Sequence, residues 1–444
     1  CFEEYSKHIF AGETGLSADP SMLWTMPDGR KITLVSNSDA HCVHPDTYIY
    51  SIGNKPKAIG NLNPSKVLSI DLVGNLKQRD ANVSMLHKLS SPPFLYSIAT
   101  QAKEIITTPE HRFFVLENEK ITEKKASSLK MGDLVACLRQ ISNKGKSHRL
   151  PYFKIDKRVR VLPEGISFLM NARLKNKKIQ KNIGRCIGIT EDCVGIFENH
   201  RVKFPKESFV EKFCKCVFVD SNKFKNEFVI FKENSGRFPK FTNEKFCQIL
   251  GYLMGDGGIG HSGGKIKDIS FTDKDVNLLT YYQNLIQEIF DIKGRLRKKQ
   301  GNSSAVRCPG YLAEYFQEID PQILAPSPKR QIPNFIFNLP KKQIASFLRG
   351  LFDAEGTFAH HSIQICSSSL SLMKEVQALL LNFGITCNIY HDFEKDKKRW
   401  RHKISIYGQV QLRVFAEEIG FDSVLKREKL LNYLFSLQQP RMNS

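Results

Sequence analysis

The chain has 444 residues, of which 41% are hydrophobic and 25% charged, with a formal net charge of +21. These proportions belong to a folded chain of about three domains and exclude a disordered or fibrous one. No apolar run approaches the roughly 18 residues of a membrane-spanning helix, and no signal peptide is evident, so the setting expected is cytoplasmic and membrane-free.

The charge surplus is uneven: residues 141–240 hold 23 Lys+Arg against 10 Asp+Glu, a net +13. Such a concentration favours a polyanionic partner, because neutralising phosphates releases condensed counterions; a solvated basic face is the plainer alternative. Eleven cysteines follow no repeated framework and are expected to be reduced thiols. The pairs Cys186/Cys193 and Cys214/Cys216 fit no usual zinc-ligand spacing. The chain starts at Cys1 rather than Met and reads as a fragment.

Residues 1–41 contain GETGLSADP (12–20) and close on LVSNSDAH (34–41). A short apolar strand, Ile32 to Val35, is expected to deliver Asp39 and His41 onto the loop that follows, one carboxylate and one imidazole from a fixed backbone. The stretch resembles the end of a PHP-type metal-dependent phosphoesterase domain. That resemblance sets Glu13, Asp39 and His41 at acidic and histidine site positions. The earlier histidine motifs are absent, and two or three ligands do not close a metal shell, so the segment reads as a host remnant. A strand-to-loop junction capped by Asp39 is the simpler alternative.

At residue 42 the pattern changes. Short strands at Tyr48-Ile49-Tyr50, Val67 to Ile70 and Phe94 to Ile98 are separated by turns at Gly53-Asn54, Gly74-Asn75 and Pro92-Pro93, which predicts a small all-β unit over 42–140. Cys42 follows His41 directly, Thr108 and His111 stand in ITTPEHRFFV (106–115), and LKMGDLVAC (129–137) supplies a K-x-G-D turn. A cysteine beside a peptide carbonyl can shift the chain from amide to thioester if its sulfur is activated and the amide strained or protonated. A histidine can supply that proton near neutral pH, and a threonine hydroxyl can position the scissile group. Taken singly, these are a buried thiol, a core histidine and a turn threonine. In this order they resemble the first part of an intein splicing domain of the Hint type. The resemblance implies that Cys42 is the nucleophile and that Thr108 and His111 assist the break between His41 and Cys42.

The basic stretch 141–240 includes KIDKRVRV (154–161), RLKNKK (173–178) and HRVKFPK (200–206), interleaved with Phe153, Phe197, Phe204 and Phe213. Aromatics among cations can track a nucleic-acid backbone, or the phenylalanines can form a core of their own; the first reading is preferred here.

Two later segments match each other. ILGYLMGDGGI (249–259) and FLRGLFDAEGTF (347–358) are helix-like apolar runs ending in an acid and a glycine, and Asp256 and Glu355 are 99 residues apart. ISFTDKDVNLLTYYQNLIQEIF (269–290) is answered by IQICSSSLSLMKEVQALLLNFG (363–384), and YLAEYFQEI (311–319) by QLRVFAEEIGF (411–421). A repeat of this length predicts two α+β halves, 241–340 and 341–437, related by a pseudo-two-fold axis within one chain. Gly251 and Gly255, and likewise Gly350 and Ala354, share a helical face, so the two helices can pack closely and bring their acids together. Two carboxylates at negative helix ends call for cations between them, and Mg2+ suits such oxygen ligands.

Over residues 242–435 the chain resembles the LAGLIDADG family. The resemblance implies a monomeric, pseudo-symmetric endonuclease that cuts both strands of a long double-stranded DNA site, with Asp256 and Glu355 as catalytic metal ligands. It also implies major-groove readers on the two sheets: Arg295, Arg297, Lys298 and Arg307 in the first half, and Lys398, Arg399, Arg401 and Lys403 in the second. Lys403 is the one candidate for a role at the scissile phosphate. A catalytically silent DNA-recognition module of the same fold is the rival reading, and the presence of both acids favours the enzyme. An intein closes with a late β segment and His-Asn; no such pair follows Gly420, so splicing is expected to be incomplete and 438–444 to be a truncated tail.

Overall fold

The computed structural model describes residues 43–61, 66–70, 78–82, 94–100, 104–153, 155, 159–202, 204–231, 236–299 and 301–437, together with the backbone of three short strands nearer the N-terminus. Those strands, β1 (Ala11–Glu13), β2 (Leu23–Thr25) and β3 (Lys31–Val35), form one sheet in which β1 runs parallel and β2 antiparallel to β3. Glu13 lies on β1. Its side chain, Asp39, His41 and Cys42 fall outside the described residues, as do residues 438–444.

The next stretch is built of antiparallel pairs. β4 (Tyr48–Ser51) pairs with β5 (Asn54–Ala58) across Gly53, whose φ of +69 suits the tight reversal. β6 (Lys66–Ile70) pairs with β7 (Gln78–Asn82), and β8 (Tyr96–Ala99) with β9 (Glu104–Thr107). β10 (Arg112–Glu117) is flanked by β11 (Lys120–Lys125) and β12 (Leu134–Val135). The strand expected from Phe94 begins at Tyr96 instead, with Phe94 and Leu95 exposed and, among the described residues, outside any strand. Lys55 of β5 anchors this β region to the rest. Its ammonium lies 2.6 Å from the buried Glu375 and donates to Gln331 Oε1 at 2.8 Å, while Glu375 accepts from Ile332 N–H.

Residues 159–231 form a helical unit with its own core. β13 (Val159–Val161) leads into α1 (Pro163–Lys175), α2 (Gln180–Ile187), α3 (Glu191–Glu198), α4 (Glu207–Cys216) and α5 (Ser221–Phe228), and β14 (Val229–Phe231) returns antiparallel to β13. Two expectations are corrected here. Phe197 and Phe213 are fully buried among Leu169, Ile183 and Val210 and so form this core; they do not line a nucleic-acid path. The thiols are not all reduced: Cys186 and Cys216 form a disulfide with Cα atoms 6.6 Å apart, joining α2 to α4. Their spacing of 30 residues matches no motif, because the pairing is made by helix packing. Cys193 is exposed, and burial pushes the Cys214 thiol up to about 12, so neither resembles a metal ligand.

The flanks of the basic region pack elsewhere. Ile141 N–H donates to Leu381 O at 3.0 Å, Lys146 N–H donates to Asn338 O at 3.0 Å, and Leu150 joins the large core, whereas 141–240 was expected to be one region.

The large core is the repeat. In its first half, α6 (Glu244–Asp256) is followed by β15 (Gly257–Ser262), β16 (Lys265–Asp273), α7 (Val276–Phe290), β17 (Arg295–Lys298), β18 (Ser304–Pro309) and α8 (Gly310–Ile319). The second half repeats the order with α9 (Lys341–Glu355), β19 (Gly356–Ala359), β20 (Ser362–Ser367), α10 (Leu370–Leu380), β21 (Asn388–Glu394), β22 (Arg399–Ile406) and α11 (Gln409–Val414), and a last helix, α12 (Val424–Ser436), follows. The sheets have equivalent orders, β15-β16-β18-β17 and β19-β20-β22-β21. Ile269 and Phe271 of β16 with Val306 of β18, and Ile363 and Ile365 of β20 with Ile404 of β22, are turned into one continuous buried cluster.

α6 and α9 meet backbone to backbone. A Cβ on Gly251 would lie 2.0 Å from Phe347 O, and one on Gly350 would lie 2.1 Å from Gln248 O. The two contacts are equivalent, since 350 − 251 and 347 − 248 are both 99. Asn243 caps α6 by accepting from Phe246 N–H at 2.9 Å, and Pro340 stands just before α9, where a missing N–H costs nothing. We expect Gly251→Ala to cost about 3 kcal/mol or more of unfolding free energy, because the obstacle is a backbone carbonyl that cannot rotate away. Urea denaturation measures this, and a loss below roughly 1 kcal/mol would contradict the packing described.

Candidate active site

α6 and α9 end on Asp256 and Glu355, and Gly257 and Gly356 then turn into β15 and β19 with extended backbones. The Cβ position of Gly255 lies 2.4 Å from Ala354 Cβ and 3.2 Å from Glu355 Cγ, so the two acidic ends stand against one another. Asp256 is half-buried, and its carboxyl is pushed up to about 7 by burial first, then by the neighbouring Glu355 and Asp273. Glu355, at the more open end, is raised mainly by burial, with Arg330, Lys426 and Arg401 opposing. Each helix terminus adds its own negative end.

Two cations hold these termini. Arg330 Nη1 donates to the last carbonyls of α6, at Met254 and, at 3.0 Å, Gly255. Lys426 donates to the corresponding carbonyls of α9, Phe352 O at 3.4 Å, Asp353 O and Ala354 O at 3.4 Å. Carbonyls left over at a helix C-terminus are thus satisfied by charge, and the same charges face the acids. Asp353 braces the arrangement from inside. Fully buried, it accepts from Asp422 N–H (2.9 Å), Ser423 N–H (3.1 Å) and Tyr282 Oη (2.9 Å), and so fixes the start of the helix that carries Lys426. Burial pushes the Asp353 carboxyl up to about 6.

The sheets' outer faces carry most of the expected cations. Arg295 pairs in register with Arg307, which pairs with Ser270, and Arg297 pairs with Ala305, all on the face turned away from the helices. Lys298 has the opposite parity, shared with Leu296, which stands opposite the buried Val306; all four residues of β17 are exposed. On the second sheet Arg399, Arg401 and Lys403 alternate with the buried His402 and Ile404, whereas Lys398 sits in the left-handed turn before β22 (φ 47). The charge of Arg401 opposes the rise of the Glu355 carboxyl, and Lys403 stands 5.9 Å over the Tyr390 ring. Glu394 partly neutralises this patch, accepting from Arg399 Nε at 2.9 Å.

Thr108 is buried, and His111 N–H donates to its carbonyl at 3.1 Å, while the His111 ring stands edge-on to Phe113. Val43 bridges antiparallel to Thr107, and His44 N–H donates to Ile106 O at 2.8 Å. The residue after Cys42 is therefore paired with the residue before Thr108.

Arg330, Lys426, Asp273 and Asp353 escaped the sequence reading. Arg330 and Lys426 are 96 residues apart, off the 99-residue repeat, so no matched position marked them in the sequence. Among the described residues no group of three or more His, Cys, Asp or Glu side chains is arranged to hold a metal ion. Asp256 and Glu355 offer hard carboxylate oxygens whose mutual repulsion a divalent cation would relieve, so they fit one whose shell is completed by water and phosphate.

The LAGLIDADG-like domain model matches residues 243–319 and 342–420, one stretch in each half. The chain carries a LAGLIDADG-like domain. It is 29% identical over 402 residues to a glutamine–fructose-6-phosphate aminotransferase of Methanocaldococcus jannaschii, a match covering 88% of this chain and 35% of that one. It is 26% identical over 388 residues to a probable translation initiation factor IF-2 of the same organism, covering 80% and 30%. The chain thus spans about a third of the length of these curated relatives. A structure of mesophilic variants of the homing endonuclease I-DmoI is similar with a TM-score of 0.33 and 20% identity, over 40% of this chain and 95% of that one. No helix among the described residues is long and apolar enough to cross a membrane.

The raised carboxyl makes a signed prediction. Folding holds Asp256 at about 7, above the ordinary carboxylate value of 3.8, so its ionisation works against the fold. The stability contributed by the protonated carboxyl is present below the unfolded value and is lost as the pH rises through about 7. Without metal at pH 8, Asp256→Asn should therefore stabilise the protein by about 1–3 kcal/mol, with little change at pH 4. A divalent cation should raise the melting temperature of the parent and not of the variant. A variant that melts lower than the parent at both pH values would refute the assignment.

Proposed function

We propose that this chain is a site-specific DNA endonuclease whose active site is the pair Asp256 and Glu355. The observation that carries the reading is the meeting of two acids at adjoining helix ends, beside two sheets whose outer faces carry arginines. Magnesium bound there would neutralise the carboxylates and supply an acidic water at the scissile phosphate. Asp256 and Glu355 hold oxygen ligands toward that centre, one for each DNA strand, and Arg330 and Lys426 keep the two helix ends from drifting apart. Arg401 offers positive charge on the Glu355 side. Arg295, Arg297, Arg307, Arg399 and Arg401 contact base edges and phosphates, with the exposed Lys298 at the end of β17 beside them. Plasmid libraries carrying random inserts reveal the cut site. Asp256→Asn and Glu355→Gln should each reduce cutting by at least about 1,000-fold while leaving the affinity for the site within about tenfold. Cutting retained by either variant would refute its role; loss of binding in both would point to a structural one.

We further propose that the nuclease lies within an intein. Two observations support this: the pairing of Val43 with Thr107, the residue before Thr108, and a match to about a third of two relatives whose names share no activity. A stretch common to an aminotransferase and an initiation factor is what an inserted element leaves. Cys42 attacks the His41 carbonyl to give a thioester, with His111 protonating the departing amide nitrogen and Thr108 positioning it. Excess thiol should then release residues 1–41 as a fragment identifiable by mass. Cys42→Ala should abolish the release, and a fragment of that mass persisting in the variant would exclude the step.

A further inference from the structure

The unit at 159–231 has no part in the reading above, yet its helices are arranged for one. α2 and α3 are each eight residues long and are joined by Gly188-Ile189-Thr190 alone. Gly188 has a φ of +82, and its N–H and that of Ile189 both donate to Gly184 O, at 2.8 and 2.9 Å, so the chain reverses at once. A Cβ on Gly184 would lie 2.8 Å from Ile189 O, so only glycine allows this approach without a shift of the backbone. Ile183 and Ile187 of α2 are buried with Val194 and Phe197 of α3 and with Val210 and Phe213 of α4.

The orientation of α3 is locked by charge. Glu198 accepts from Arg173 Nε at 2.6 Å and Nη2 at 2.8 Å, and from Gln180 Nε2 at 2.7 Å. Arg173 and Glu198 are both buried, and their forked geometry keeps α3 from rolling on α1. The face left open carries Glu191, Asp192, Cys193 and Ile196, all exposed. Exposed cations lie on the adjoining elements: Lys181 and Arg185 on α2, and Arg201 on the loop leaving α3. The whole unit has 14 Lys+Arg and 8 Asp+Glu, a net charge of 14 − 8 = +6.

Two short helices joined by a glycine turn, the second held rigidly with one face open, is the geometry by which a helix enters the DNA major groove. We propose that α1–α5 form a helix-turn-helix unit that sets α3 into the major groove of duplex DNA, outside the stretch covered by the two sheets. The flanking cations hold phosphates. Glu191 and Asp192 repel phosphate but accept hydrogen bonds from cytosine amino groups, so the outlying site contains cytosines at fixed positions. The proposal extends the DNA-binding part of the function above and is independent of cleavage.

The test uses the full chain carrying Asp256→Asn to select duplexes from a random library, followed by hydroxyl-radical footprinting of the best binder. Two separated protected stretches are expected. Adding Lys181→Glu, Arg185→Glu and Arg201→Glu should remove only the outer one and weaken binding about 10–100-fold at 150 mM salt. It should also lower the slope of log affinity against log salt by about 3. Ile196→Glu, on the open face of α3, tests the same surface without removing a cation and should likewise erase the outer protection; melting curves confirm that both variants fold. A single footprint unaffected by either variant, or a selection that returns no duplex, overturns the proposal. Outer protection without a central one would sustain it and refute the reading of the two sheets instead.

Discussion

Everything in the two-fold half of this protein follows from a contact between two peptide backbones. Gly251 and Gly350 remove the side chains that would otherwise hold α6 and α9 apart, and each glycine then faces a carbonyl of the other helix. Once the axes are that close, the two sheets must lie on either side of the helix pair, and the helix ends must adjoin. The acids are brought together first by this contact, and Arg330 and Lys426 then hold the helix ends that carry them. They converge because the chain before them does.

That convergence creates an electrostatic debt at one point: two carboxylates, two helix dipoles of the same sign and the nearby Asp273. The protein meets it with fixed cations placed symmetrically, Arg330 from the segment between the halves and Lys426 from the last helix. Neither makes an ion pair with the acids strong enough to bring Asp256 back to an ordinary carboxyl. The centre is left short of positive charge, which is the state expected of a site that takes up a cation. Asp353 shows how far the support reaches, since it orders the residues leading into α12 and thereby the lysine in its first turn.

The two-fold domain was legible because its signals are local and doubled. The acid-glycine endings repeat at 99 residues, and the small residues at 251, 255, 350 and 354 mark the contact face. The alternation that separates Arg295 and Arg297 from Lys298 was equally present in the sequence. What was missing was the register of β17 on β18, which decides which parity faces out. Arg330 and Lys426 were illegible for another reason: a cation that caps a distant helix leaves no pattern around itself. The same holds for the disulfide, since Cys186 and Cys216 become neighbours only when α2 and α4 pack. In the basic region composition misled, because Phe197 and Phe213 occur among charges in the sequence but at the centre of a core in space.

The helical unit is entered through β13 and left through β14, and these strands are partners, with Val159 opposite Phe231 and Val161 opposite Val229. Its two ends therefore leave the larger body at almost one point. A cassette attached in this way can be exchanged or lost without rerouting its host, since the stumps already lie within reach of each other. Target preference in such a protein can change by whole-module replacement, a larger step than the gradual editing of arginines on a sheet.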